Sequence, residues 1–207
     1  MWGLEHSERI PDPDKTVLSR KARYSYGIKC TERFDYARGH LDEDSFIDVK
    51  GERRARNQMI WKLTKGDTIE EGKELHLKLG QNVQASFLDA VLGQTWDFSN
   101  TLYYCADDVP PTRAEPSKQN NMGMKMLLIV AQGVKVLCEV EYTVQRARFR
   151  QEMCFKDHLT GQKWRRALFD FCIRLHNTTL EYVVLYKGEQ VAHTVANYKK
   201  GCKVGSY

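Results

Sequence analysis

The sequence lacks a long apolar run. Its longest apolar stretch, Met126–Ala131, has the length of a strand and is far shorter than the ~20 residues that a membrane-spanning helix needs. The N-terminal residues contain no basic segment followed by an apolar one, the pattern typical of a secretory signal. We therefore expect no membrane span and an intracellular protein, cytoplasmic or nuclear.

Closely spaced cysteine pairs are also missing. The chain has 6 cysteines and no C-x-x-C motif, which together with the expected compartment favours reduced, mostly buried thiols over disulfides. Two Cys-x-x-x-His patterns occur, Cys154 with His158 and Cys172 with His176. Both segments are predicted to be strands. In a strand, the two residues of such a pattern are about 13 Å apart, which is too far for them to share one metal ion. The sequence thus predicts no metal site and no cofactor.

The common catalytic and nucleotide-binding motifs are absent. The sequence has neither the G-x-x-x-x-G-K-[ST] phosphate loop nor a G-x-G-x-x-G fingerprint, and it has no G-x-S-x-G nucleophile elbow. No motif specific to a known family can be quoted from these residues. We predict no catalytic residue and favour binding over catalysis. An enzyme assembled from dispersed Cys and His residues remains an alternative, because spacing along a chain does not show which residues meet in space.

Alternation of apolar and polar residues dominates the chain. It is clearest over residues 22–30, 75–79 and 134–144, each typical of a half-buried strand. Residues 82–92 have helical spacing, with Asn82 as a cap and Gly93 after the last turn. The predicted fold class is α+β, predominantly antiparallel β. We expect a sandwich or open barrel with one short helix at about 82–92.

Proline-containing segments suggest the domain organisation. Residues 1–15 contain Pro11 and Pro13 and are predicted to form a flexible N-terminal tail. Residues 16–207 are predicted to form a single β-rich domain with an exposed proline-rich loop at 107–123. The sequence leaves open whether 107–123 is instead a linker between two domains.

Positive charge is concentrated in the C-terminal part. From residue 124 onward there are 14 Lys and Arg against 7 Asp and Glu, a net charge of +7, whereas the whole chain carries +5. Such asymmetry favours an anionic partner, although moderate basicity also serves solubility.

A hairpin is predicted between residues 148–155 and 163–175, and it would place several of these basic residues on one face of a sheet. If its turn centres near residues 158–159, Phe149 faces Phe169 on a core face, while Arg148 pairs with Asp170 and Glu152 with Arg166 on a polar face. In that register the arginines share one face of the sheet. This face is either a basic binding surface or a solvated face on which opposite charges pair. Trp164 is the candidate for stacking on a base. The predicted anion- or nucleic-acid-binding residues are Arg146, Arg148, Arg150, Trp164, Arg165, Arg166 and Arg174.

Three functions follow as hypotheses. The first is a non-enzymatic binding or assembly protein whose basic C-terminal sheet face contacts nucleic acid or an acidic protein surface. The second is a β-sandwich carrier of an apolar, lipid-like ligand, and the third is the enzyme with a dispersed Cys/His site. A last hairpin is predicted between residues 180–186 and 190–196, around a turn at 187–189. Within it, residues 183–186 are apolar on both sides of the strand, so they lie either centrally in a sheet or in a homo-oligomer formed by strand pairing.

Overall fold

The fold is built almost entirely from antiparallel strands. The computed structural model describes residues 19–70, 73–85, 95–114, 133–176 and 179–197. Short 3-10 helices span Tyr36–Arg38, Asp42–Asp44 and Arg146–Phe149. The strands of the described ranges are β1 (Ser19–Lys21), β2 (Ser25–Arg33), β3 (Ser45–Ile47), β4 (Arg53–Leu63), β5 (Thr68–Glu70), β6 (Glu74–Gln84), β7 (Thr95–Cys105), β8 (Val134–Gln145), β9 (Cys154–Lys156), β10 (Lys163–Leu175), β11 (Thr179–Tyr186) and β12 (Glu189–Asn197).

Two open sheets contribute to one core. The first has the strand order β3-β4-β2-β7-β8, and the second has the order β12-β11-β10-β6 with β9 also paired to β10. Strands β1 and β5 form a separate two-stranded pair. The predicted fold class, predominantly antiparallel β with a sandwich or open barrel, is confirmed. No helix in the described ranges is both long enough and apolar enough to cross a membrane.

Alternation along each strand decides which side chains enter the core. In β8, Cys138, Val140, Tyr142 and Val144 are buried while the residues between them are exposed, as the sequence predicts. In β10 the buried set includes Phe169, whose ring centroid lies 5.0 Å from that of Phe98 and 5.4 Å from that of Tyr142. These rings join the two sheets, each pair contributing about 0.5–1.5 kcal/mol beyond its burial.

The short helix predicted from Asn82 does not begin there. Strand β6 continues through Gly80 to Gln84 and pairs with β10 along its whole length, from Glu74 to Gln84. Leu77 and Val83 both point into the core. The alternation of the strand therefore continues past Gly80. Residues 86–92 of the predicted helix lie outside the described residues.

The register predicted for the middle hairpin is wrong. Strand β9 pairs only with residues 163–165 of β10, and Cys154 faces Arg165, which is one residue away from the predicted register. From residue 169 onward the same edge of β10 is occupied by β11, so residues 146–149 have no edge to pair with and form a 3-10 helix. The predicted pairs of Arg148 with Asp170 and Glu152 with Arg166 therefore do not form.

The last hairpin forms as the sequence predicts. Strands β11 and β12 pair around the turn at 187–188. Because β11 has β10 on its other side, residues 183–186 are central in the sheet, which accounts for their apolar character on both faces.

The described part of the predicted loop, residues 107–114, is held against β4. The backbone N–H of Met59 donates to the carbonyl of Thr112 at 2.8 Å, and the Trp61 indole N–H donates to the carbonyl of Pro111 at 2.7 Å. This segment thus continues along the edge of β4 after β3 ends. The predicted tail at 1–15 and residues 115–123 lie outside the described residues.

Candidate functional site

The predicted basic face is not one continuous surface. Arg146 belongs to the 3-10 helix that follows β8, and Phe149 of that helix is buried, as predicted. The Nε of Arg146 donates to the carbonyl of Thr95 at 3.2 Å, and its guanidinium lies 4.4 Å from the Trp96 ring centroid. Arg146 therefore serves to attach the helix to β7.

Arg148 and Arg150 also differ from the prediction. The Nη2 of Arg148 lies 2.7 Å from a carboxylate oxygen of Glu189, and its guanidinium lies 5.3 Å from the Tyr186 ring centroid. Arg150 is exposed directly after the 3-10 helix, and its carbonyl accepts a hydrogen bond from Arg165 Nη1 at 2.7 Å. The three arginines thus do not line a strand face.

Trp164 and Arg165 lie on opposite faces of β10. Trp164 is half-buried between its register partners Gln84 and Phe155, so it is not an open stacking platform. Arg165 also reaches the carbonyl of Glu152, at 3.4 Å. Its side chain therefore fixes the segment between the 3-10 helix and β9.

Arg174 lies on the outer face of the second sheet, the face turned away from the core. Its Nε lies 2.7 Å from Glu74 Oε1, and its Nη1 lies 3.7 Å from a carboxylate oxygen of Glu181. The paired-charge interpretation of the sequence describes this arginine well.

Arg166 is different from the other predicted residues. It lies on the outer face of β10, opposite Asn82 and diagonal to Gly80. A Cβ at Gly80 would lie 2.3 Å from Arg166 Nε, so the guanidinium lies directly over the glycine. Within the described ranges, the half-buried guanidinium has neither a hydrogen-bond acceptor nor an ion-pair partner. Its forked N–H donors therefore remain available to an anion that enters beside them.

A cleft of about 200 Å³ opens beside Arg166. One wall comes from β6 and β10. The other comes from β2, β3, the segment that follows β3, and β4. Arg54 contributes the second cation, and Phe46 and Val49 contribute apolar surface. We call it the Arg54–Arg166 cleft.

The electrostatics of the cleft favour an anion. Arg54 donates through Nη2 to the carbonyl of Thr31 at 3.1 Å, and it lies 3.9 Å from a carboxylate oxygen of Asp48 and 3.7 Å from one of Glu52. The Asp48 carboxylate already accepts backbone N–H groups of Lys50 and Glu52, at 2.8 and 3.0 Å. Two guanidinium groups and one carboxylate thus line the cleft, and Arg166 has no acidic partner among the described residues.

A second polar cluster lies on the outer face near the other end of β6. His76 Nε2 lies 3.0 Å from Glu74 Oε2, and His76 Nδ1 lies 3.0 Å from Asp170 Oδ2. Cys172 is the register partner of His76, and its Sγ lies 3.6 Å from Glu74 Oε2. One nitrogen, one sulfur and one oxygen from Glu74, His76 and Cys172 lie within 4.8 Å of one another.

The thiol of this cluster is a poor nucleophile. Burial, and then the nearby Glu74 carboxylate, raise the pKa of Cys172 to about 11. Since the thiolate is the reactive form, a neutral thiol in this position gives little support to the hypothesis of a dispersed Cys/His enzyme.

Sequence reasoning missed this cluster because it depends on a non-local pairing. The pattern places His76 on the solvent-facing parity of its strand, where the structure also has it. Only the register between β6 and β10 shows that Cys172 is its neighbour. His193 is exposed on the same outer face, 3.9 Å from a Glu181 carboxylate oxygen.

The apolar-carrier hypothesis needs space between the sheets. In the described core, the Phe169 ring of the second sheet lies against two rings of the first, with centroid distances of 5.0 Å to Phe98 and 5.4 Å to Tyr142. An apolar ligand entering there would have to displace these rings.

The fold and these sites define an open two-sheet antiparallel β-protein with a cationic cleft. The chain belongs to the family described as a domain of unknown function, DUF8568, whose model matches residues 20–200. Comparisons with curated proteins and with solved structures give no match.

Proposed function

We propose that the protein is a non-enzymatic binding protein that holds a carboxylate group of an acidic protein partner in the Arg54–Arg166 cleft. The observation that carries the proposal is the half-buried Arg166 guanidinium, which lacks an anionic partner among the described residues. A guanidinium offers forked N–H donors that match a carboxylate, and such charge-assisted hydrogen bonds are the stronger ones.

The cleft suits a protein side chain better than a nucleic-acid strand. Binding along a phosphate backbone needs several cations in a row. Arg146, Arg148 and Arg174 are instead engaged with acceptors of this chain. The apolar wall formed by Phe46 and Val49 favours the aliphatic part of a Glu side chain beside its carboxylate. Homo-oligomerisation remains a further prediction about partners.

A titration tests this proposal. A fluorescently labelled glutamate-rich peptide is titrated with the folded protein and with Arg166→Gln, at two salt concentrations. Loss of a charge-assisted hydrogen bond costs about 1.5–3 kcal/mol, so we expect Arg166→Gln to weaken binding about ten- to a hundredfold. Arg146→Gln is the matched control and should bind like the wild type, because its guanidinium is engaged elsewhere.

Nucleic acids provide the competing outcome. Single- and double-stranded RNA and DNA are titrated in parallel under the same two salt conditions. Tighter binding of any of them than of the peptide, with equal loss in Arg146→Gln and Arg166→Gln, would overturn the choice of an acidic protein. No peptide binding at low salt would overturn the proposal itself.

A further inference from the structure

The outer-face cluster on β6 and β10 has the donor set of a metal centre. His76 offers an imidazole nitrogen, Cys172 a sulfur and Glu74 a carboxylate oxygen, all within 4.8 Å of one another. Zinc accepts this combination of ligands, at about 2.0–2.3 Å from each. A tetrahedral ion with such bonds separates neighbouring ligand atoms by about 3.3–3.6 Å. Two of the three spacings, 3.0 Å from Nε2 to Oε2 and 3.6 Å from Sγ to Oε2, are close to those values, and the nitrogen lies within 4.8 Å of the sulfur.

Two neighbouring side chains already orient these ligands. Asp170 holds Nδ1 of His76 at 3.0 Å, which leaves Nε2 to face Glu74 and Cys172. A carboxylate on the distal nitrogen is the usual outer-shell partner of a metal-bound histidine. Arg174 binds Oε1 of Glu74 at 2.7 Å, which leaves Oε2 turned toward the other two ligand atoms.

The backbone contributes to the rigidity of this arrangement. Cys172 and His76 are direct register partners in adjacent strands, and Glu74 lies two residues before His76 on the same face of β6. Because Cys172 is fully buried in the central strand β10, its sulfur has little freedom to move. Ligands on paired strands are held more precisely than ligands on loops.

We propose that Glu74, His76 and Cys172 bind a divalent transition-metal ion of the zinc class, with Asp170 as the positioning residue of His76. Three protein ligands leave one coordination position of a tetrahedral ion for water or for a partner's side chain. Glu74 and His76 are 40% and 41% exposed in their side chains, so this fourth position faces solvent. Cys172 loses its thiol proton to solvent when the metal–sulfur bond forms.

The test uses the full chain after treatment with a chelator. Co²⁺ replaces Zn²⁺ as a spectroscopic probe, because a cobalt–thiolate bond gives a near-ultraviolet charge-transfer band. We expect the band in the wild type and its loss in Cys172→Ala. Zn²⁺ affinity, measured by competition with a chromophoric chelator, should fall at least tenfold in His76→Gln and about 10–100-fold in Asp170→Asn.

Matched controls separate this site from other donors of the chain. Cys154→Ser and His193→Gln change exposed residues of the same types and should leave the band and the affinity unchanged. His76→Gln and Asp170→Asn change partly exposed side chains, so they test the site even if the buried Cys172→Ala fails to fold. No thiolate band in the wild type, or Zn²⁺ binding undiminished by His76→Gln, would overturn the proposal.

Discussion

The side chain of Arg166 occupies the space that a Cβ at Gly80 would need. The Arg166 Nε lies 2.3 Å from that position, and the nearest terminal nitrogen lies 2.8 Å from it. Gly80 therefore allows the guanidinium to lie against the sheet at the edge of the cleft.

Replacing this glycine should change binding more than stability. In Gly80→Ala the three atoms nearest to the new methyl group all belong to the flexible Arg166 side chain, which can move away. We expect a change in the free energy of unfolding below about 1 kcal/mol, since an exposed strand position tolerates alanine, and a loss of peptide affinity approaching that of Arg166→Gln. Urea unfolding and the peptide titration measure the two effects.

Gly27→Ala is the matched control for the glycine test. Its Cβ would lie 2.5 Å from the backbone oxygen of Ile60 and 2.7 Å from the Trp61 ring. Such overpacking costs about 1–3 kcal/mol, so this variant should be clearly destabilised. Equal stability losses in the two variants, or unchanged peptide affinity in Gly80→Ala, would contradict the role given to Gly80.

The ion pair of Arg113 should matter for stability. Its Nε lies 2.6 Å from Asp44 and its Nη2 lies 2.7 Å from Glu43, and the Asp44 side chain is only 6% exposed. Arg113→Met leaves a buried carboxylate uncompensated, so we expect a loss of about 3 kcal/mol in the free energy of unfolding. Urea denaturation measures it.

The control for Arg113 is an ion pair at the surface. Lys65 lies 2.7 Å from Asp108, whose side chain is 88% exposed. Exposed pairs contribute about 0–1 kcal/mol. We therefore expect Lys65→Met to lower the free energy of unfolding by less than about 1 kcal/mol. If both variants lost the same free energy, the burial of Asp44 would not be the cause.

Removing the hydroxyl group from each of two tyrosines in β11 should change the stability of the protein in opposite directions. Tyr182 is fully buried and its hydroxyl has no hydrogen-bond partner within the described residues. Tyr186 donates to a Glu152 carboxylate oxygen at 2.6 Å. We expect Tyr182→Phe to raise the free energy of unfolding by about 1 kcal/mol and Tyr186→Phe to lower it by about 2 kcal/mol. Denaturant unfolding measures the two changes in the free energy of unfolding. A loss of stability in Tyr182→Phe would contradict this account, because it would show that the Tyr182 hydroxyl has a hydrogen-bond partner.

The turn at Asp157 should make stability depend on pH in the acid range. Backbone N–H groups of Thr160 and Leu159 donate to the carboxylate and hold the pKa of Asp157 below its usual value. A lowered folded-state pKa adds stability above the unfolded pKa of about 3.9, and this stability is lost as pH falls through the folded value. Wild type should therefore exceed Asp157→Asn in stability at pH 6, and the two should converge near pH 2. A constant difference across this range would contradict the assignment.

Local pattern was enough to predict the strands but not every boundary. The parity of β8 and the hairpin of β11 and β12 follow from alternation and turn residues alone. Gly80 resembles a strand end, and Asn82 resembles a helix cap, because the neighbour that explains them is Arg166, more than eighty residues further along the chain. Alternating arginines near Phe149 resemble a strand, yet a 3-10 helix buries the same phenylalanine.

The candidate sites depended even more on long-range pairing. Of the seven residues predicted to bind an anion, Arg166 has the environment that carries the proposal, and its partner Arg54 comes from a different sheet. The metal-ligand set likewise joins β6 to β10. Periodicity shows which face a residue takes, but not which strand lies beside it.

The most direct test of the central claim observes the arginine side chains themselves. In an isotope-labelled protein, the guanidinium N–H signals are followed by NMR during titration with the glutamate-rich peptide. The binding site proposed here predicts that Arg166 and Arg54 shift first and together, whereas Arg146 and Arg148 remain at their free positions. Shifts confined to Arg146, Arg148 and Arg150 would instead contradict the cleft and locate the partner at the end of β8.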